Sequence, residues 1–401
     1  MTPLGILGSV IILGSFFFLI QKKSENKIIL YLLLGIFGIR LFFLVLNVIG
    51  VRFPLSDTSD IVAFFDVAQA GAQSTLFFNF SQSYIWASIL GVIYKATGDL
   101  VLLPLVVNIV LGTLSSMLAY KMVLLFSNRM VSAYVVLSLV GFSPPLIFAS
   151  ASYLRESITI FFITATFYLA ASISKSQSIS INQSLLLLGS AVIAMVFHGG
   201  FFFLVVMAGL ILTQKMLVKK KFGVLFFTCF LLIIAFLLVI NFQIGGSKIG
   251  WLLSFDFAVI NHRLERAING GIASDLQWLY DANGLVFALV STIRFIWAPL
   301  LAENLRLYDL ARVVYLFIIS IALLIIVLRC IRNRNGGLFL SSSYFLFNMS
   351  IFVTIFGFSI FSADVDTAFR HLTKLFPVII ALGYFNPFSK VTRNSQFCLV
   401  K

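Results

Sequence analysis

Apolar stretches of about 20 residues, the length of a helix that crosses a bilayer, recur along this chain and are separated by short clusters of Lys and Arg. That alternation constrains the fold more than any motif does. A chain that is 61% hydrophobic and 10% charged, with a mean hydropathy of +1.08, lacks the polar surface of a water-soluble globule. Inside a bilayer, backbone N–H and C=O groups have no water to bind, so only helices and closed barrels cross it. The 45 phenylalanines suit lipid-facing helices, and the polar and apolar alternation of barrel strands is absent. The expected class is all-α: a polytopic integral membrane helical bundle, with residues 1–401 forming a single transmembrane domain.

The net charge of +14 would point to nucleic acid in a soluble protein. Here the cations gather between apolar spans, as the positive-inside rule predicts, so no nucleic-acid partner is expected. Lys22, Lys23 and Lys27 follow the first span, and Arg129 follows 101–126. Lys215, Lys219, Lys220 and Lys221 form the densest group, Arg329, Arg332 and Arg334 lie between two late spans, and Lys390, Arg393 and Lys401 are in the tail. Cys229, Cys330 and Cys398 form no CxxC pattern, which argues against a thiolate metal site. The apolar run from Leu4 to Ile20 has no basic region before it and reads as a retained first helix.

Parity refines the topology. The loop near Lys175 and the Lys215 to Lys221 cluster both belong on the cytoplasmic side, so the apolar stretch 184–213 must cross twice, turning at His198-Gly199-Gly200. The result is about 11 spans, with the N-terminus periplasmic, the C-terminus cytoplasmic, and two larger external loops at about 51–100 and 242–310. In this arrangement every carboxylate except Glu25 lies on the external face with all three histidines, His198, His262 and His371. Chemistry is expected there.

Within the first loop, Asp57 and Asp60 are three residues apart, a spacing that suits a general base or metal ligands on one helix face, or simple helix caps. The stretch Tyr84 to Ala96 reads as a juxtamembrane helix, and 284–301, broken by Arg294 and Pro299, as a re-entrant or interfacial one. Arg155-Glu156 follows a prolyl pair at the mouth of a hairpin between spans, where an arginine either snorkels or binds a phosphate bidentately. Arg40, in the middle of the second span, needs a partner or a hydrated cavity. Arg370, His371 and Lys374 open the last span, with Arg370 and Lys374 on one face, set to meet an anion. His262, Arg263, Glu265 and Arg266 form a second charged group, which also reads as a solvated face. His198 reads as a proton acceptor or as a hydrogen-bonded turn residue.

Taken together, the acidic early loop (SDTSD), the aromatic stretch ending in ATGD, the segment SPPLIFASASYLRES, the large late loop and DTAFRHLTKLFP resemble bacterial O-antigen and surface-polysaccharide polymerases and the related C-type membrane glycosyltransferases. The resemblance covers most of the chain as architecture and loosely spaced residues. It implies inner-membrane glycosyl transfer on the periplasmic face, polymerising undecaprenyl-diphosphate-linked repeat units. Arg155, Arg263, Arg266, Arg294 and Arg370 would then bind the phosphates, and Asp57, Asp60, His198 or His371 would act as base. No metal or other cofactor is implied. The partners would be the undecaprenyl-linked glycan, membrane lipid and a chain-length regulator protein. Trp251, Trp278, Tyr280 and Trp297 are candidates for stacking on sugar rings. The alternatives are a C-type transferase using a polyprenyl-phosphate sugar and a flippase for lipid-linked oligosaccharides.

Overall fold

The computed structural model describes residues 2–23, 26–51, 59–73, 84–98, 102–127, 129–176, 179–218, 292–293, 295–296, 307–332, 343–361 and 365–384, and among them every regular element is helical. In chain order these are α1 (Pro3–Lys23), α2 (Lys27–Val48), α3 (Ser59–Gln73), α4 (Tyr84–Thr97), α5 (Leu102–Ser127), α6 (Met130–Gly141), α7 (Pro144–Ser150), α8 (Glu156–Lys175) and α9 (Ile181–Phe197). A 3-10 turn at Gly199–Phe201 leads into α10 (Phe202–Val218), followed by α11 (Leu307–Arg332), α12 (Ser343–Phe361) and α13 (Val365–Tyr384).

The ends of these helices follow from local chemistry. Asn26 caps α2, its Oδ1 accepting from the Ile28 N–H at 2.9 Å. Ser180 and Gln183 form a reciprocal capping box that opens α9. Gly50 and Gly98 follow α2 and α4 with φ of 84° and 67°, the left-handed conformation that glycine adopts without strain. Pro144 and Pro145 supply no N–H groups and sit at the start of α7, where none is needed. The preceding α6 is bent by 56° relative to α7.

Among the described residues, four helices are long and apolar enough to span a membrane, or five if the bent α6–α7 pair counts as one span; α1, α9, α11 and α12 contain shorter apolar segments. The surface has the inverted pattern of a bilayer protein. On α11, Val314, Phe317, Ile321, Leu324, Leu328 and Ile331 are exposed at alternating steps of three and four residues, a continuous apolar stripe suited to lipid. On α2, the buried face is Leu33, Ile36, Phe37, Arg40 and Leu44, while Ile28, Tyr31, Phe42 and Val45 face outward.

Helix α5 is the hub, packing against α1, α2, α6, α7, α8 and α13. Its buried residues include Asn108, Gly112, Thr113, Ser115, Ser116 and Ala119, whose small side chains allow close backbone approach. Thr113 and Ser115 return their hydroxyl protons to carbonyls one turn back. Helix α13 is enclosed by α5, α6, α8, α11 and α12, and its side chains from Leu372 to Gly383 are buried.

The expected reversal at His198 is present. Helix α9 ends at Phe197, α10 begins at Phe202, and the two pack against each other, which one continuous rod cannot do. The expected helix at Tyr84 to Ala96 forms as α4. It packs against α3 and also meets α1 and α9, burying Ile85, Trp86, Ala87 and Leu90. Within 284–301, residues 292–293 and 295–296 are described as helical, and Thr292 shares a 2.9 Å hydroxyl hydrogen bond with Ser359 of α12.

Candidate functional site

Between α7 and α8 the chain leaves helical geometry for residues 151–155, a costly arrangement in an apolar interior unless each backbone group finds a partner. Three helices supply donors from their side chains. Asn47 Nδ2 of α2 donates to Ala151 O at 2.7 Å, and Trp86 Nε1 of α4 donates to Tyr153 O at 2.7 Å. Asn108 Nδ2 of α5 donates to both Ser152 O at 2.8 Å and Leu154 O at 3.0 Å. Four successive carbonyls are thus held by side chains from elsewhere. The held segment delivers Arg155 and Glu156 at the N-terminus of α8, where the helix dipole favours a carboxylate.

Glu156 is 2% exposed and is the centre of a charged cluster. Arg370 Nη2 donates to Glu156 Oε1 at 2.8 Å, and Lys374 Nζ lies 3.6 Å from the same oxygen. Arg155 adds a third positive charge to the field at this carboxylate, and its guanidinium sits 6.0 Å from the Phe64 ring centroid on α3. Glu156 Oε2 is buried with no hydrogen-bond partner. Three cations thus act on this one buried carboxylate.

The two described histidines lie beside this cluster. His198 and His371 meet edge to face with ring centroids 4.7 Å apart. Lys374 Nζ is 3.4 Å from His371 Nδ1. Phe358 of α12 stacks on His371 at 4.3 Å and meets the edge of His198 at 5.1 Å, closing the apolar side of the pair.

The helical hairpin α3–α4 walls the cluster. Phe65 packs edge-on against Tyr153 at 5.0 Å, and Trp86 against Phe197, the residue before His198, at 6.5 Å. The site therefore gathers the broken start of α8, the α9–α10 turn and the first half of α13 beside one aromatic hairpin.

Of the residues expected from the sequence, Arg155, Arg370, His198 and His371 come together here. Arg370 and Lys374 do share a face, and the anion they meet is the chain's own Glu156, 214 residues from Arg370. Asp60 falls in the first turn of α3, while Asp57, Arg263, Arg266 and Arg294 lie outside the described residues, as do His262, Trp251, Trp278, Tyr280 and Trp297. Glu156 and Lys374 were not among the expected catalytic or phosphate-binding residues. The available signal was a carboxylate opening an apolar span, which is tolerated only with a buried partner. Among the described residues, no group of three or more His, Cys, Asp or Glu side chains converges as metal ligands would.

Arg40 is fully buried and fastens helices together. Its Nη1 donates to Gly141 O at 2.8 Å, capping the broken end of α6, and to Ile36 O at 3.2 Å. Gly141 must be small here, since a Cβ would lie 2.1 Å from Ile36 Cδ1.

Gly200 offers a direct test of the imidazole pair. A Cβ at this position would lie 2.3 Å from Phe358 Cε1, so Gly200→Ala should push Phe358 off the His371 ring. Such overpacking typically costs about 1–3 kcal/mol. Thermal unfolding in detergent should show that loss, with partial recovery in the Gly200→Ala/Phe358→Leu double variant. Equal stability of Gly200→Ala and wild type would mean that the packing around the pair is loose.

Comparison of the chain with protein-family models, with curated proteins and with solved structures finds no match in any of the three.

Proposed function

We propose that this protein is a membrane glycosyltransferase that polymerises oligosaccharide repeat units carried on undecaprenyl diphosphate, at the periplasmic face of the bacterial inner membrane. The observation that supports this reading best is the cluster in which Arg155, Arg370 and Lys374 act on the buried carboxylate of Glu156, beside the His198–His371 pair. Transfer from a lipid diphosphate breaks the bond between the anomeric carbon and the phosphate oxygen, and negative charge develops on the leaving diphosphate. Fixed cations in a water-poor site stabilise that charge without reorganising. The attacking sugar hydroxyl forms the new glycosidic bond and loses its proton to an imidazole of the pair.

In this mechanism Glu156 is a positioning residue. It holds Arg370 and Lys374 in register, and it offsets part of the repulsion among three cations before substrate arrives. The aromatic hairpin α3–α4 lies over Arg155 and Tyr153, where a wall of aromatic faces suits a sugar ring. An arrangement of about 11 spans, with the N-terminus periplasmic and the C-terminus cytoplasmic, puts this cluster on the external side. The α9–α10 reversal supports that arrangement.

Replacing Arg370 by Lys keeps the charge and removes the planar fork that binds phosphate oxygens in pairs. Activity should fall by about 100-fold or more, as it does when a transition-state donor is lost, while the protein remains folded. Arg155→Lys should behave in the same direction. The assay is polymer formation by purified protein in vesicles supplied with lipid-linked repeat units. Wild-type rates in both variants would remove these arginines from the site.

A second reading draws on the continuous series His198, His371, Lys374 and Glu156, a chain of proton-exchanging groups of the kind that drives coupled transport. A flippase of this sort would move lipid-linked oligosaccharide across the vesicle membrane without forming glycosidic bonds.

A further inference from the structure

We propose that Arg40 forms a buried binding site for a small inorganic anion, separate from the Glu156 cluster. Arg40 has 0% exposure and sits in the middle of α2. It uses Nη1 for Ile36 O and Gly141 O, whereas Nε and Nη2 are buried and have no hydrogen-bond partner. Those two atoms share one edge of the guanidinium, the pair of parallel donors that grips an anion bidentately. Among the described residues no carboxylate pairs with Arg40, and a buried guanidinium without a counter-charge is strongly disfavoured.

Groups of α5 and α7 bound the space beside the fork. Gly112 of α5 faces the fork: a Cβ there would lie 3.1 Å from Arg40 Nε, 2.8 Å from Ser150 Cβ and 3.3 Å from Ser150 Oγ. Asn108 Oδ1, one turn from Gly112 on the same helix, is also buried without a partner. Asn47, which holds the start of the 151–155 segment, is two turns along α2 from Arg40, a separation of about 10 Å. The fork lies against Ser150, the residue just before that segment, whereas Glu156 follows the segment's other end. The occupant of the fork is a halide-sized or nitrate-sized anion that neutralises Arg40 and locks α2 to α5, α6 and α7.

The test uses the full chain purified in detergent, with chloride as the probe. Equilibrium dialysis with radiolabelled chloride should find a site in wild type, and thermal unfolding should occur at a higher temperature in chloride than in gluconate at equal ionic strength. Arg40→Met should lose both effects. Gly112→Ala crowds Nε without removing the charge and should weaken chloride binding by about tenfold or more, the cost of a disturbed charged contact. It keeps the test open if Arg40→Met fails to fold. Arg370→Gln should retain the chloride effect, which separates this site from the Glu156 cluster. Absence of chloride binding in wild type, undiminished binding in Gly112→Ala or Arg40→Met, or its loss in Arg370→Gln would overturn the proposal.

Discussion

Glu156→Gln is expected to destabilise the folded protein by about 3 kcal/mol, the lower end of what removing one partner from a buried ion pair costs. The loss comes from the groups left behind. Lys374 is buried and meets Glu156 Oε1 at 3.6 Å, so the variant takes this counter-charge away from it in an apolar setting. Arg370 contributes less, because its side chain is 22% exposed and water screens it. The Glu156→Gln/Lys374→Met double variant removes both buried charges and should recover much of the stability, since a buried pair replaced by apolar groups is often tolerated. Denaturation of the two variants in the same detergent would measure this. Equal stability of Glu156→Gln and wild type would show that the cluster is not held by charge.

Asn108→Leu is expected to have an effect of similar size for a different reason. The asparagine amide satisfies two carbonyls, Ser152 O and Leu154 O, in the non-helical segment before α8. Without it, both are buried and unpaired, at about 1–3 kcal/mol each, so a total loss of about 2–6 kcal/mol follows if the segment does not relax. Relaxation would instead move Arg155 and Glu156 away from Arg370, and activity would fall with stability. Asn47→Leu removes one bond at a partly buried position and should cost about 1 kcal/mol. A smaller loss for Asn108→Leu than for Asn47→Leu would contradict this account of the segment.

The helical class and the membrane-spanning character were legible because they depend on composition and run length, which are local properties of the chain. The turn at His198 was expected from placing two basic clusters on one side of a membrane, and α9 and α10 do turn back on each other there. Arg370 and Lys374 were legible as a pair, since a four-residue step puts them on one helix face. Their partner was not. Glu156 is brought to them by the packing of α13 against α8, and nothing within either segment encodes that register. Glu156 stands beside Arg155 in the sequence, whereas its strong contact in the structure is with Arg370. The donors that hold residues 151–154 were equally hidden. Asn47, Trp86 and Asn108 sit in three different helices, and each looks unremarkable in its own apolar stretch. Trp86 in particular reads as an interfacial aromatic until its indole N–H is seen to reach Tyr153 O.

The central claim is that the cations around Glu156 bind a lipid-linked diphosphate for glycosyl transfer. It is tested most directly by supplying purified protein in vesicles with undecaprenyl-diphosphate-linked repeat units and measuring the length of the glycan produced. Wild-type protein should yield a ladder of polymer, and folded Arg370→Lys protein should yield little or none. Movement of the lipid-linked substrate across the vesicle membrane with no new glycosidic bonds would contradict the claim.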